Sequence, residues 1–239
     1  PTRQLMVATS QYPYKNFEVV NFKDAASCGA ENLHTYNEAQ FPHYFAKYLM
    51  LDPSEYIPFS KANGRTDAGV GYGGYTTAID PHPYVDEDGT KYLLWVDNLD
   101  QDRLCGVKME NWLKPKWETA VALTYNGYYT VNDWKAGSTN KVSYESNTTN
   151  EGPFITEHNG KFYMITTNIS SLGNFIVTAE DPLGEWSDPI PVKMGGIDPS
   201  LFWDEDGSCW YTGSTGTSVM ISRINPDTGE ILSKPKVVW

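Results

Sequence analysis

The feature that most constrains this chain is a unit in which an acidic residue, a proline and a tight turn recur at fixed spacing. The stretch "IDPHPYVDEDGTKYLLW" begins at Ile79, and "IDPSLFWDEDGSCWYTG" begins at Ile197. A third stretch, "NEGPFITEHNGKFY", has the same order of acid, proline, turn glycine and aromatic residue. A glycine follows each acid at one common distance, and the pairs are Asp80 with Gly89, Glu151 with Gly160, and Asp198 with Gly207. The pattern predicts three copies of one unit, with the three acids in register just before the first strand.

The remainder of the pattern is that of a β protein. No long segment keeps the 3.6-residue period of an amphipathic helix, whereas short runs of β-branched and aromatic residues alternate with Gly, Pro, Asn and Asp. The predicted strands are Leu5–Thr9, Pro83–Val85, Lys91–Val96, Leu104–Met109, Phe154–Thr156, Lys161–Thr167, Phe175–Ala179, Leu201–Trp203, Cys209–Thr212 and Ser218–Ile224. Residues 21–75 are less regular, and a short helix is predicted around Phe41–Leu49.

Small antiparallel units repeating every ~45–70 residues are typical of β-propeller blades. We therefore predict an all-β fold, a β-propeller of four-stranded antiparallel blades around a central channel, with a β-sandwich as the alternative. In a propeller the first strand of each blade lines the channel, so Asp80, Glu151 and Asp198 would meet at one mouth. Crowded carboxylates raise one another's pKa. Carboxyl groups with separated pKa values are what cleavage of a glycosidic bond requires.

Composition narrows the class of ligand. The net charge is −12, from 18 basic and 30 acidic residues. This argues against a surface for nucleic acid or for an anionic membrane, because either partner needs a basic face. The 8 Trp, 16 Tyr and 9 Phe suit a cleft for a neutral polar ligand such as a sugar. No apolar run approaches the ~20 residues of a membrane span.

Other side chains have structural interpretations beside the functional ones. The turn carboxylates of the two "DEDG" stretches are expected to cap backbone N–H groups, since they lack the ligand spacing of a calcium loop. His82 and His158 are expected to pack or form hydrogen bonds rather than bind metal. The three cysteines form no C-x-x-C pair, and free buried thiols are favoured over a disulfide. The candidate substrate-binding residues are Asn150, Phe154, Trp95 and Trp203.

The stretches "IDPHPYVDEDGTKYLLWV" and "NEGPFITEHNGKFYMITT", with "GVKMENWLKP" between them, resemble glycoside hydrolase family 43. The resemblance spans most of residues 78–239. It implies a five-bladed propeller with arabinofuranosidase, xylosidase or arabinanase activity that inverts the anomeric centre with three acids. It implies that Glu151, in the Glu-Gly-Pro motif, is the general acid. It also implies that Asp80, in the Ile-Asp-Pro motif, modulates the pKa of the acid and orients it.

The chain departs from the family pattern at the general base, which the family carries in an upstream Asp-Pro motif of its first blade. Three hypotheses follow for residues 1–239, taken as a single propeller domain. In the first, which we favour, the propeller is permuted or recombined, residues 198–239 complete the first blade, and Asp198 is the general base. In the second, the polypeptide is truncated and catalytically incomplete. In the third, it only binds carbohydrate.

The same resemblance frames the cofactor and the location. The family's final-blade histidine motif is absent, so we predict neither a cofactor nor a bound metal. A structural Ca²⁺ ion in the channel is an alternative that no motif supports. No signal peptide is present, so the compartment is undetermined, with a secreted or periplasmic location favoured. The expected partner is an arabinose- or xylose-containing oligosaccharide or polysaccharide.

Overall fold

The structure, a computed structural model, describes residues 5, 7–19, 78–97, 103–112, 114–123, 150–169 and 172–239. The irregular region 21–75, with the predicted helix at Phe41–Leu49, lies outside the described residues. Among the described residues, no helix has the length and apolar character needed to span a membrane.

The all-β prediction is confirmed, because the described residues form antiparallel sheets and a single turn of 3-10 helix, Trp117–Thr119. A short hairpin joins β1 (Ala8–Thr9) to β2 (Glu18–Val19). From here on the blades are numbered in chain order among the described residues. The first blade contains β3 (Ala78–Val85), β4 (Lys91–Asp97), β5 (Arg103–Asn111), β6 (Lys114–Pro115) and β7 (Val121–Ala122). The second blade contains β8 (Asn150–His158), β9 (Lys161–Asn168), β10 (Gly173–Ala179) and β11 (Ile190–Pro191). The third blade contains β12 (Ile197–Trp203), β13 (Cys209–Ser214), β14 (Val219–Asn225), β15 (Glu230–Ile231) and β16 (Lys236–Val237).

Each blade is a meander of consecutive strands, as the repeated hairpins predicted. The strand orders are β3-β4-β5-β6, β8-β9-β10-β11 and β12-β13-β14-β15, with β7 also paired to β5 and β16 to β14. The "DEDG" carboxylates hold the hairpin turns of the first and third blades. The Thr90 N–H donates to Asp88 Oδ1 at 2.7 Å, and the Ser208 N–H donates to Asp206 Oδ1 at 2.8 Å. The predicted capping role is confirmed for the aspartates, since Asp86 and Asp204 each accept a backbone N–H as well.

The blades pack through their sheet faces, with one face of each blade against the opposite face of the next. Between the first and second blades, residues such as Leu94 and Leu104 contact Met164 and Phe175 in one buried cluster. A second cluster joins the other face of the second blade to the third, for example Ile165 to Leu201. The second blade is therefore central, and its first strand β8 packs against both β3 and β12.

The N-terminal segment covers the remaining face of the first blade. Leu5 is 6% exposed and lies in a cluster with Leu93 and Trp95, and Val7 packs against the same cluster. Within the described residues, β1 pairs with β2, and no pairing joins it to the strands that follow Asp198. The permuted arrangement predicted the latter pairing.

Candidate active site

The first strand of each described blade contains a β-bulge at an equivalent place. The register shifts between Ile79 and His82 in β3, between Glu151 and Phe154 in β8, and between Ile197 and Ser200 in β12. The first bulged residue has a left-handed backbone in all three strands, with φ of 50° at Asp80, 58° at Gly152 and 51° at Asp198. A proline follows each one, and a bulge accepts proline because the ladder hydrogen bond is already interrupted there.

The predicted register is therefore wrong by one residue at Glu151. The residue that is structurally equivalent to Asp80 and Asp198 is Gly152, whereas Glu151 is equivalent to Ile79. The turn glycines misled the alignment because Gly160 follows Gly152 by eight residues, whereas Gly89 and Gly207 follow Asp80 and Asp198 by nine. The prolines Pro81, Pro153 and Pro199 give the correct register. The predicted strands also begin too late, because each first strand starts before its proline.

The three bulges meet in one cleft with a volume of about 280 Å³. Its lining is Asp80 and Pro81 from the first blade, Gly152, Pro153 and Phe154 from the second, and Asp198, Pro199 and Ser200 from the third. The convergence predicted for Asp80 and Asp198 is thus present. Glu151 immediately precedes the lining segment of the second blade.

Asp80 is fixed by the backbone of the second blade. The Gly152 N–H donates a hydrogen bond of 3.0 Å to Asp80 Oδ2. This bond ties the peptide between Glu151 and Gly152 to the first blade. A hydrogen bond to a carboxylate is stronger than one between neutral groups, so Asp80 is well suited to fix the position of Glu151.

Asp198 approaches Gly152 with its own carboxylate. A Cβ atom added to Gly152 would lie 2.7 Å from Asp198 Oδ1 and 3.2 Å from Asp198 Cα. Glycine therefore leaves the space that Asp198 occupies. Partial loss of hydration raises the pKa of Asp198, and the negative charge of Asp80 raises it further. The two aspartates are thus close enough to influence each other electrostatically.

Glu151 lies beside this pair and is partly buried. Thr166 Oγ1 donates to the Glu151 carbonyl oxygen at 2.6 Å, which fixes the backbone at the acid. Asn150 is only 1% exposed and accepts a hydrogen bond of 2.9 Å from Asn168 Nδ2. Asn150 therefore supports the strand from within, and this does not fit a direct contact with substrate.

Phe154 lines the cleft, as expected of a substrate-binding residue. Its ring lies 4.6 Å from that of His82, centroid to centroid. His82 Nε2 lies 3.1 Å from the Ile155 carbonyl oxygen, to which it donates a hydrogen bond. Burial lowers the pKa of His82. His82 thus packs behind Phe154 and fills the packing role that the sequence predicted.

The two candidate tryptophans lie away from the cleft. Trp95 is 0% exposed and contacts the Trp117 ring edge-on in the core, so no sugar can stack on it. Trp203 is at the far end of β12 from Asp198, where the rings of His158 and Tyr163 lie 4.9 and 4.8 Å away. Neither position fits a sugar platform in the cleft, because both side chains complete packing between strands.

A larger cavity, of about 410 Å³, lies along the β1–β2 hairpin. Its lining is Thr9, Ser10, Gln11, Tyr12, Asn16 and Glu18. Among the described residues of this lining Glu18 is the one carboxylate, whereas the cleft has both Asp80 and Asp198. Across the part of the chain that the structure describes, no group of three or more His, Cys, Asp or Glu side chains could hold a metal ion.

Comparison with known proteins identifies the family. The sequence profile of glycosyl hydrolases family 43 matches residues 51–166 and 132–239. The chain belongs to glycosyl hydrolases family 43. The two matches overlap and together cover all three blades described above.

Several curated relatives are similar over part of this family 43 chain. A xylosidase/arabinosidase of Butyrivibrio fibrisolvens is 58% identical over 78 residues, which is 31% of this chain and 14% of the relative. A non-reducing end alpha-L-arabinofuranosidase of Bacteroides ovatus is 34% identical over 80 residues, 32% of this chain and 15% of the relative. A xylan 1,3-beta-xylosidase of a Vibrio species is 31% identical over 104 residues, 36% of this chain and 19% of the relative. The chain thus matches less than a fifth of the length of each.

Solved structures share the fold of this family 43 chain. The GH43B protein of the Bacteroides ovatus xyloglucan locus has a TM-score of 0.50 and 21% identity, covering 68% of this chain and 31% of that one. The GH43 BlXynB protein of Bacillus licheniformis has a TM-score of 0.50 and 20% identity, with the same coverage. The predicted β-propeller is confirmed, and the described residues form three of its blades.

Proposed function

We propose that this protein is a glycosidase that cleaves arabinosyl or xylosyl linkages of plant polysaccharides with inversion of the anomeric centre. Its membership of family 43 supports glycoside hydrolysis, and the names of its relatives support these two sugars. The observation that carries the proposal is the placement of two aspartates from separate blades on either side of Gly152, directly after Glu151.

Three carboxyl groups have distinct roles in this proposal. Glu151 is the general acid, which gives its proton to the leaving-group oxygen as the glycosidic bond breaks. Asp198 is the general base, which takes a proton from the water that attacks the opposite face of the sugar ring. Asp80 modulates the pKa of Glu151 and fixes its position through the Gly152 N–H.

The electrostatics agree with this division. Partial loss of hydration, together with the charge of Asp80, raises the pKa of Asp198. A raised pKa makes the ionised carboxylate a stronger base toward water. The reaction uses carboxyl groups and water alone, so the proposal includes no cofactor.

The test compares leaving groups, because a good leaving group does not need a proton. We expect Glu151→Gln to retain much of its rate on nitrophenyl arabinofuranoside and xyloside, and to lose about 10²–10⁴-fold on the corresponding disaccharides. Asp198→Asn should lose about the same factor on both kinds of substrate, since water must be activated in each case. The control is Glu205→Gln, which neutralises an exposed carboxylate in the turn after Trp203.

Product stereochemistry, followed by NMR during the first turnovers, tests inversion. Equal losses for Glu151→Gln on both leaving groups would contradict its role as the acid. Full activity of Asp198→Asn would remove Asp198 from the mechanism. The rival function is carbohydrate binding without hydrolysis. Calorimetry would support it if wild type binds xylo- or arabino-oligosaccharides and releases no sugar.

A further inference from the structure

A row of buried polar side chains crosses the second blade beneath the acid motif. Thr167 in β9 is directly opposite Glu151 in β8, and Asn174 in β10 is directly opposite Thr167. Thr167 is 3% exposed and Asn174 is 1% exposed. Buried polar groups are costly unless they are hydrogen-bonded, so the partners of this row show what it holds in place.

Asn174 is the centre of the row and uses both ends of its amide. Thr167 Oγ1 donates to Asn174 Oδ1 at 2.7 Å. Asn174 Nδ2 donates to Tyr211 Oη at 2.6 Å and to the Met194 carbonyl oxygen at 3.2 Å. A carbonyl oxygen can only accept a hydrogen bond, which fixes the orientation of the amide. Asn174 therefore connects the strand opposite Glu151 to the third blade.

The far end of the network holds the segment that leads into Asp198. The Tyr211 hydroxyl, which is fully buried, donates to the Gly195 carbonyl oxygen at 3.5 Å. Gly196 has a φ of 116°, and a Cβ atom there would lie 2.7 Å from the Ser214 carbonyl oxygen. Residues 194–196 are thus held by a side-chain amide, a hydroxyl and the adjacent strand. Asp198 follows two residues later.

We propose that Asn174, acting through Tyr211, is a positioning residue that sets the separation between Glu151 and Asp198. The catalytic meaning of this separation rests on the proposed function, while the placement of Asp198 can be measured without turnover. An inverting glycosidase needs roughly 6.5–9.5 Å between its two carboxyl groups. A fully satisfied buried polar network specifies one geometry more sharply than apolar packing does.

The test removes parts of the network while leaving both acids intact. Tyr211→Phe removes one hydroxyl, and Asn174→Leu removes the whole junction with a side chain of similar size. The matched control is Ser222→Ala in the same blade. Ser222 is 0% exposed, lies opposite Tyr211 in the β13–β14 pairing, and donates to the Ser233 carbonyl oxygen at 2.6 Å rather than to a member of the Asn174 network.

The variants should differ in kcat more than in stability or KM. A displacement of about 1 Å can reduce the rate by about 100-fold. We expect kcat to fall by roughly tenfold in Tyr211→Phe and further in Asn174→Leu, with KM within about twofold of wild type. Ser222→Ala should lower the melting temperature by about as much as Tyr211→Phe does and leave kcat unchanged. An equal loss of kcat in Ser222→Ala and Tyr211→Phe would overturn the proposal.

A second measurement does not depend on activity. The ¹³C carboxyl signal of Asp198, assigned by its loss in Asp198→Asn, can be titrated in each variant. Asp80 is the charged group that faces Asp198 at Gly152, so a displaced Asp198 should titrate at a different pH. We expect a shifted midpoint in Tyr211→Phe and an unchanged one in Ser222→Ala. An unchanged midpoint in Tyr211→Phe would refute positioning, even if Asn174→Leu fails to fold. If wild type is inactive but the Asp198 midpoint still shifts in Tyr211→Phe, the proposed function is refuted and the positioning role is not.

Discussion

The strands β3 and β12 are two copies of one structure placed in different surroundings. Each contains Ile-Asp-Pro, a bulge at the same position and an aspartate with φ near 50°, at 50° in Asp80 and 51° in Asp198. Asp80 accepts a hydrogen bond from the Gly152 N–H. Asp198 instead occupies the space that a Cβ atom on Gly152 would need, and partial loss of hydration, with the charge of Asp80, raises its pKa. Identical local sequences have therefore given two different carboxylates.

The difference comes from the residue between them. Along the ring, the side chain at the bulge of one blade reaches the bulge backbone of the next, as Asp80 reaches Gly152. Gly152 has no side chain to extend toward the third blade, and the Asp198 carboxylate lies in that space. The repeat creates the positions, and the interruption of the repeat at Gly152 makes the two acids unequal.

The largest effect is expected from filling that gap. Gly152→Ala places a Cβ atom 2.7 Å from Asp198 Oδ1, at a residue with φ of 58°. We expect a loss of about 2–5 kcal/mol in the free energy of unfolding, from left-handed strain of ~1–2 kcal/mol and displacement of Asp198 at ~1–3 kcal/mol. The control is Gly160→Ala, where φ is 76° and nothing lies within 4 Å, so only the strain is expected. Equal losses in the two variants, measured by chemical denaturation, would show that Asp198 yields freely.

The next effect compares aromatic residues at equivalent positions of β3 and β12. Tyr84 packs edge-on against Phe162 of the second blade, with ring centroids 6.0 Å apart. Its counterpart Phe202 is 62% exposed. We expect Tyr84→Ala to lower the free energy of unfolding by about 2 kcal/mol and Phe202→Ala to change it by less than ~0.5 kcal/mol. A similar cost for both would contradict the exposure of Phe202.

A smaller effect separates the aspartates themselves. Asp80→Asn weakens a charge-assisted hydrogen bond and should cost about 1 kcal/mol at neutral pH. Asp198→Asn should stabilise slightly, because a raised carboxyl pKa means that its ionised form disfavours the folded state. That stabilisation should shrink as the pH falls through the raised pKa and vanish below pH ~3, where the carboxyl group is protonated in both states. Denaturation curves between neutral and acidic pH measure both signs, and destabilisation by Asp198→Asn would contradict the comparison.

Much of the architecture follows from the sequence for identifiable reasons. The "DEDG" turns and the β-branched runs specify hairpins locally, so the strands β4, β9 and β13 are predicted close to their observed bounds. The convergence of Asp80 and Asp198 follows from their identical motifs. The predicted register of Glu151 is wrong because aligning the turn glycines and aligning the prolines give answers that differ by one residue. A bulge is set by backbone pairing across strands, so the glycines alone could not reveal it.

The supporting residues of the site are less accessible to sequence reasoning. Asn174 and Tyr211 have no motif, and they meet only because the second and third blades pack face to face. Trp95 is a candidate sugar platform by residue type and strand position alone, and its burial in the core leaves no ring face for a sugar. Side-chain identity gives chemistry, while accessibility depends on which face of a strand packs against the adjacent blade.

The smallest effect concerns pH and the residues that follow the two bulges. His82 in β3 is buried against Phe154, and its counterpart in β12 is Ser200. Burial lowers the pKa of His82 in the folded protein, so below pH ~6.5 the unfolded chain binds a proton that the folded chain resists. Wild type should therefore lose stability as the pH falls from 7.5 to 5, because protonation of this imidazole favours the unfolded chain. His82→Gln, which lacks the imidazole, should lose less. Ser200→Ala should keep the wild-type slope, because a hydroxyl group does not titrate in this range. Denaturation at several pH values gives the slopes directly, and equal slopes for wild type and His82→Gln would show that another group controls the loss.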